Sequence, residues 1–90
     1  MEIKYAARFR SQYAKADNEI RGAFGQALEV FLEDQKDPHL RNHALRKKFV
    51  GYRSINVTDD WRAVFKERQT KKRITVTFHL LGTHKDLYGK

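Results

Sequence analysis

The chain of 90 residues has no cysteine, a single proline and no long apolar run. The absence of cysteine excludes disulfides and thiolate metal sites, and it fits a reducing compartment. The N-terminal segment MEIKYAARFRSQYAK carries charges every few positions, and no segment approaches the length of a membrane span. We therefore expect a cytoplasmic protein that does not associate with membranes.

Acidic residues are few relative to basic ones. The chain has 11 Asp and Glu against 19 Lys and Arg, which gives a formal net charge of +8. This charge favours a polyanionic or acidic partner, and both RNA and an acidic protein fit that description. A chain of this length has room for one small core, so we expect a single domain over residues 1–90.

Two amphipathic helices are predicted in the first half of the chain, after a short strand over residues 2–5. Phe9 and Tyr13 are four residues apart and therefore share one face of a helix over about residues 7–16. Asp17 is a good N-cap residue for a second helix, in which apolar residues recur every three or four positions to about residue 34.

Three strands are predicted in the second half. Residues 49–57 and 61–65 are rich in aromatic and β-branched residues, and the polar turn between them, residues 58–60, includes two aspartates. Residues 73–81 alternate apolar and polar side chains with a period of two. The element order β-α-α-β-β-β predicts an α+β fold, with the two N-terminal helices packed on one face of a small antiparallel sheet.

The other face of this sheet is predicted to be open for a ligand. Alternation places Arg62 on the open face if the row that contains Trp61 is core. In a simple meander, the turn that contains Asp60 and the end of the last strand before His84 lie at the same end of the sheet, so these two residues should converge. His43 would lie at the opposite end, and it must fold back to reach them.

Two segments carry a family resemblance, GYRSINVTDDWRAVFKE over residues 51–67 and GTHKDLYG over residues 82–89. In order and spacing they resemble the RelE/StbE family of type II toxins, most closely the YafQ-like mRNA interferases. The resemblance covers about residues 39–89. It implies a RelE-like fold and a toxin that cleaves messenger RNA in the ribosomal A site, without a metal or other cofactor. It also implies a free monomer that forms a hetero-oligomer with a cognate acidic antitoxin.

Metal-independent RNA cleavage needs a base for the 2′-hydroxyl proton, an acid for the departing 5′-oxygen and cations for the charge on the phosphate. Histidine, with an ordinary pKa of about 6.5, can serve either proton role. The resemblance implies catalytic roles for His43, Asp60 and His84. The residues expected to contact RNA or its phosphates are Arg53, Arg62, Trp61, Tyr88 and the basic run Arg46, Lys47 and Lys48.

Several of these residues also have a simple structural interpretation. An aspartate in a hairpin is usually turn chemistry, so the alternative for Asp60 is a turn residue. Trp61 fits the sheet core, and Tyr88 could stack on a base or anchor the C-terminus. His39 and His43 are spaced like half of a zinc site, but without cysteine or a third ligand they do not predict a metal.

The chain departs from the YafQ-like pattern at two positions. Asn56 stands where that pattern has a further histidine, and Leu80 stands where it has an arginine before GTH. Arg62 matches an arginine used by RelE itself and could replace the lost cation. His79 could replace the lost proton carrier only if a β-bulge brought it to the face that Leu80 occupies.

Two other functions compete with the nuclease. A ParE-like poison shares this fold but acts on DNA gyrase and lacks the histidine and acidic set, so His43, Asp60 and His84 together favour the nuclease. The departures at Asn56 and Leu80 leave open a decayed toxin that only binds antitoxin or RNA.

Overall fold

The computed structural model describes residues 1–89. Five strands and three α-helices make up the fold, with 3-10 turns at Pro38–Leu40 and Lys47–Phe49. The elements are, in chain order, β1 (Glu2–Tyr5), α1 (Ala7–Lys15), α2 (Asn18–Glu33), β2 (His43–Ala44), β3 (Arg53–Asn56), β4 (Trp61–Gln69), β5 (Ile74–Thr83) and α3 (His84–Tyr88). No helix within the described residues is long and apolar enough to cross a membrane.

The strands form one sheet in the order β1-β5-β4-β3-β2. The central three strands form the predicted antiparallel meander, whereas β1 pairs with β5 in parallel. The predicted α+β fold, with α1 and α2 packed on one face, is confirmed. The sheet differs from the prediction because it is mixed and because β2 adds an edge strand, and the short helix α3 follows β5.

The first strand of the meander is shorter than predicted, because residues 47–52 form a loop. Lys47 and Gly51 both have positive φ, 57° and 91°, and Phe49 lies in the 3-10 turn between them. The loop returns the chain antiparallel to itself, and the Leu45 N–H donates to the Tyr52 carbonyl at 2.9 Å. This return creates β2.

Aromatic rings fill the core between the helices and the sheet. Phe9 and Phe24 lie 5.1 Å apart between ring centroids, and Phe24 meets Phe78 edge to face at 5.2 Å. Phe31 packs in the same way on Phe65, at 5.2 Å. These rings dominate the core energetically, because each buries a large apolar area and such pairs add about 0.5–1.5 kcal/mol beyond it.

The sheet face opposite α1 and α2, here called the open face, is covered at one end by α3. Gly82 permits this contact: a Cβ built there would lie 3.2 Å from Leu87 Cδ2 and 3.5 Å from the Asp86 Cβ. Thr83 caps the helix, since its Oγ1 accepts from the Asp86 N–H at 3.0 Å. Gly82 and Thr83 therefore set where α3 begins and how closely it lies on β5.

A β-bulge interrupts β5. Val64 pairs with Leu80 and Phe65 with Phe78, so His79 has no partner on β4. Because Phe78 and Leu81 both belong to the core, His79 and Leu80 are both left on the other side. The Leu81 N–H lies past the end of β1 and instead donates to Oε1 of Gln12 in α1, at 2.7 Å.

Candidate functional site

One hollow on the open face gathers two of the predicted catalytic residues. It has a volume of about 470 Å³, within the range of small-ligand sites. Two histidines and two arginines line it, and we call it the two-histidine hollow. Its lining residues are Arg41, Asn42, His43, Asn56, Arg62, His84 and Tyr88.

His43 reaches this hollow because its segment folds back as the edge strand β2. It pairs with Ser54 across β2 and β3. Its Nδ1 lies 2.7 Å from the carbonyl oxygen of Arg41, a residue with a left-handed backbone (φ 48°). Since a carbonyl only accepts, Nδ1 carries the proton, and Nε2 is the basic nitrogen of the neutral ring.

Asp60 and His84 converge as the meander predicts. The His84 N–H donates to the Asp60 carbonyl oxygen at 2.9 Å, and Trp61 pairs with Thr83 just behind them. Asp60 is exposed and, unlike His84, is not among the residues that line the two-histidine hollow. The hydrogen bond between Asp60 and His84 is therefore made by their main chains.

Tyr88 is the aromatic wall of the hollow. One turn beyond His84 in α3, it lies edge to face with that imidazole at 4.7 Å between ring centroids. Its hydroxyl donates to Oγ of the fully buried Ser54 at 3.1 Å. This bond ties the end of α3 to β3, so it fixes the ring against which His84 rests.

Arg62 lies on the open face, as alternation predicts. Its Nη1 donates to the carbonyl oxygens of Thr58 at 2.9 Å and of Asp59 at 3.0 Å, and so closes the β3–β4 turn. These bonds hold the guanidinium at the hollow. Asn56 is its cross-strand partner and also lines the hollow.

Other predicted site residues lie elsewhere. Arg53 shares a row with the buried Ile55, and it is therefore on the helix side of β3 rather than on the open face. Its Nε donates to Asn42 Oδ1 at 2.8 Å. Arg53 therefore does not line the two-histidine hollow, although its partner Asn42 does, and its contact with an RNA phosphate stays a prediction. Trp61 packs against the core, in agreement with its structural interpretation.

The basic run Arg46, Lys47 and Lys48 is exposed in the loop between β2 and β3. Arg46 precedes the 3-10 turn, and the two lysines form part of it. None of the three lines the two-histidine hollow. They flank the site on the same loop that returns the chain to β3.

The family model described as the bacterial toxin YafQ of type II toxin-antitoxin systems matches residues 1–89. The chain belongs to the YafQ toxin family. It is therefore a toxin of a type II toxin-antitoxin system, and the predicted resemblance is confirmed. A comparison with curated proteins gave no significant match.

Solved structures of such toxins share this fold. A YoeB/ParE toxin from Agrobacterium tumefaciens matches with a TM-score of 0.76 at 13% identity, over 93% of this chain and 99% of that one. YafQ from E. coli matches with a TM-score of 0.72 at 22% identity, over 98% of both chains. The E. coli DinJ-YafQ complex matches at 0.64 and 25% identity, also over 98% of both.

Sequence reasoning did not select Arg41, Asn42, Ser54 or Gly82 as parts of the site. Gly82 is part of the GTH motif, which is its only sequence signal. Arg41 and Asn42 directly precede His43, but only the left-handed turn at Arg41 brings them into the hollow. Ser54 gives no signal, because a serine inside a strand is unremarkable until its partner Tyr88 is known.

His39 and His43 are the two histidines whose spacing resembles half of a zinc site. Among residues 1–89, no group of three or more His, Asp or Glu side chains is placed to hold a metal ion. His39 Nδ1 instead lies 2.9 Å from Asp37 Oδ1. Hydrogen bonds from the His39 main chain and ring lower the pKa of Asp37 below its usual value.

Proposed function

We propose that this toxin is a metal-independent endoribonuclease that cleaves messenger RNA in the ribosomal A site. The observation that carries the proposal is the two-histidine hollow, in which His43 and His84 face the same space as the Arg62 guanidinium. Two imidazoles and a fixed cation are the groups that cleavage by a neighbouring 2′-hydroxyl requires.

In this mechanism His43 is the general base. The Arg41 carbonyl holds the proton on Nδ1, so Nε2 takes the 2′-hydroxyl proton, and the 2′-oxygen attacks the adjacent phosphorus. The bond from phosphorus to the 5′-oxygen breaks, and protonated His84 gives its proton to that leaving oxygen. The products are a 2′,3′-cyclic phosphate and a 5′-hydroxyl.

Arg62 stabilises the charge that develops on the phosphate oxygens. Because its Nη1 already bonds to the turn carbonyls, the guanidinium is held in place before RNA binds, and preorganised donors of this kind contribute most to such steps. Arg41 adds a second positive charge at the hollow. The Asp60 main chain and Tyr88 act by positioning His84.

The partners follow from the family and from charge. One of the matching E. coli structures is a DinJ-YafQ toxin-antitoxin complex, and we expect a cognate acidic antitoxin to bind this chain, of net charge +8. Ribosomal RNA phosphates would contact the basic run Arg46, Lys47 and Lys48. Residues 1–90 would act as one toxin domain, monomeric when free, in the cytoplasm.

The decisive experiment maps messenger RNA ends by primer extension after the protein is induced without antitoxin. We expect cuts within codons that require translation. Substitution of His84 or His43 by alanine should lower the cleavage rate by about 10²–10⁴-fold, because each variant lacks one proton carrier. His39→Ala is the matched control, since this exposed histidine does not line the hollow.

Other outcomes separate the competing functions. Intact messages with growth arrest and DNA damage would replace the nuclease with a gyrase poison. Intact messages with normal growth would mean a decayed toxin, which Asn56 and Leu80 would explain. Cleavage by the His84→Ala variant at the wild-type rate would refute the assigned roles. A loss of cleavage supports them only if thermal melting shows that the variant is folded.

A further inference from the structure

A second, smaller hollow of about 260 Å³ lies beside the two-histidine hollow. Phe49, Tyr52, His79 and Leu80 form its walls, and the exposed cations Arg8 and Lys48 also line it. We call it the aromatic hollow. It exists because of the bulge in β5, which places both His79 and Leu80 on the same side of the strand.

A continuous series of ring contacts joins the two hollows. From His84 the rings run through Tyr88 (4.7 Å between centroids), Phe49 (5.8 Å) and Tyr52 (6.4 Å) to His79 (5.2 Å). Each pair meets edge to face, at interplanar angles between 71° and 90°. The four rings beyond His84 are only half-buried, so this row of rings connects the two hollows and remains partly open to a ligand.

Positive charge accompanies this surface. Lys48 Nζ lies 5.4 Å from the centre of the Phe49 ring, and Lys66 Nζ lies 5.0 Å from that of Tyr52. Burial, together with the Lys66 ammonium, lowers the pKa of His79, which favours its neutral imidazole. None of the described residues that line the aromatic hollow is acidic.

Aromatic faces flanked by cations are how proteins hold single-stranded nucleic acid: the bases stack on the rings, and the cations follow the phosphates. We propose that the aromatic hollow is a second RNA subsite, in which Tyr52 and His79 take a base of the strand within a few nucleotides of the cleaved phosphate. This inference rests on the proposed function for its position along the RNA. Lys48 and Arg8 would neutralise the adjoining phosphates.

An acidic peptide of the antitoxin is the competing occupant. The cations alone would suit either ligand. The ring contacts favour RNA, because a strand with its scissile phosphate between His43 and His84 meets the rings next, whereas carboxylates gain little from aromatic walls. The subsite would select by stacking, so it would favour purines over pyrimidines.

The test measures RNA binding in a protein that cannot cut. In the His84→Ala background, fluorescence anisotropy of a labelled single-stranded hexanucleotide RNA gives the Kd. Tyr52→Leu should raise this Kd about tenfold, as loss of one stacked base requires. Tyr52→Phe keeps the ring and should leave the Kd nearly unchanged. Thermal melting of both variants checks that the fold is intact.

An abasic scan then locates the base. Removing one particular base should weaken binding about tenfold in the His84→Ala protein but hardly at all when Tyr52→Leu is also present. Equal base dependence in both proteins would overturn the subsite, as would failure of the parent to bind the hexanucleotide. So would a Tyr52→Leu effect confined to antitoxin affinity.

Failure of the subsite and failure of the nuclease are distinguishable. If messages stay intact in cells but the Tyr52 effect on hexanucleotide binding is observed, the nuclease proposal fails and the subsite stands. If messages are cut and the Tyr52→Leu and Tyr52→Phe proteins bind RNA equally, the subsite alone is refuted.

Discussion

The hydrogen bond between Tyr88 and Ser54 can be measured as a free energy. Ser54 is fully buried, and its hydroxyl receives the Tyr88 proton at 3.1 Å, whereas Tyr88 is only half-buried. Tyr88→Phe removes the bond and leaves a buried hydroxyl without its partner. With a net value of about 0.5–1.5 kcal/mol for the bond and about 1–3 kcal/mol for an unsatisfied group, we expect a loss of about 1–2 kcal/mol.

Ser54→Ala should cost less, about 0.5–1 kcal/mol, because the half-buried Tyr88 hydroxyl can turn to water. The double variant should then be no less stable than Tyr88→Phe alone, which gives a coupling energy of about 1 kcal/mol. Urea denaturation of the four proteins, followed by circular dichroism, measures this cycle. A coupling energy below about 0.3 kcal/mol would show that the two hydroxyls do not meet in solution.

The same variants separate positioning from chemistry at Tyr88. Since its hydroxyl is engaged by Ser54, we expect it to take no part in proton transfer, and both Tyr88→Phe and Ser54→Ala should lower the RNA cleavage rate by less than tenfold. A loss of 100-fold or more in Tyr88→Phe, with Ser54→Ala near the wild-type rate, would make the phenol a catalytic group and refute this reasoning.

Two further predictions concern the same face of the sheet. Gly82→Ala should lower the free energy of unfolding by about 1–2 kcal/mol, because the added methyl meets Leu87 at 3.2 Å. Urea denaturation measures this loss, which should be smaller in a Leu87→Ala background. An equal loss in both backgrounds would contradict the assigned contact. Burial and Lys66 lower the pKa of His79 in the folded state, so the unfolded chain binds a proton more readily than the folded one. The free energy of unfolding should therefore be highest above the ordinary pKa of about 6.5 and should fall as the pH drops below it. His79→Gln should reduce the change in the urea midpoint between pH 7.5 and 5.5. If the midpoint of the variant depends on pH as strongly as that of the wild type, His79 is not the cause.

Periodicity predicted the elements that bury a regular stripe. The helical spacing of Phe9 and Tyr13, and the alternation in β4 and β5, each follow from burial on one side, which leaves a repeating pattern in the sequence. The turn at residues 58–60 then fixed the meander, and with it the convergence of Asp60 and His84. These features depend only on neighbours along the chain or across one hairpin.

The remaining features depend on contacts that leave no periodic pattern. Strand β2 has only two residues, both exposed, so it buries nothing that its sequence could reveal. The bulge at His79 arises because Phe78 and Leu81 both enter the core. The sequence His79-Leu80-Leu81 is equally compatible with a regular strand, so it does not predict the bulge. Arg53 was assigned from the resemblance alone, although its place two residues before Ile55 puts it on the helix side.

The parallel pairing of β1 with β5 has a consequence for synthesis. Ile3 pairs with Val76 and Tyr5 with Phe78, so β1 joins a strand that is made much later. Contacts so distant in sequence form slowly, because the intervening chain must first be ordered. During translation β1 can pair only after β5 has been made, and α3, with His84 and Tyr88, follows β5. A product truncated before β5 lacks the strand that joins β1 to β4, and it also lacks His84 and Tyr88, so neither the sheet nor the two-histidine hollow is complete in it.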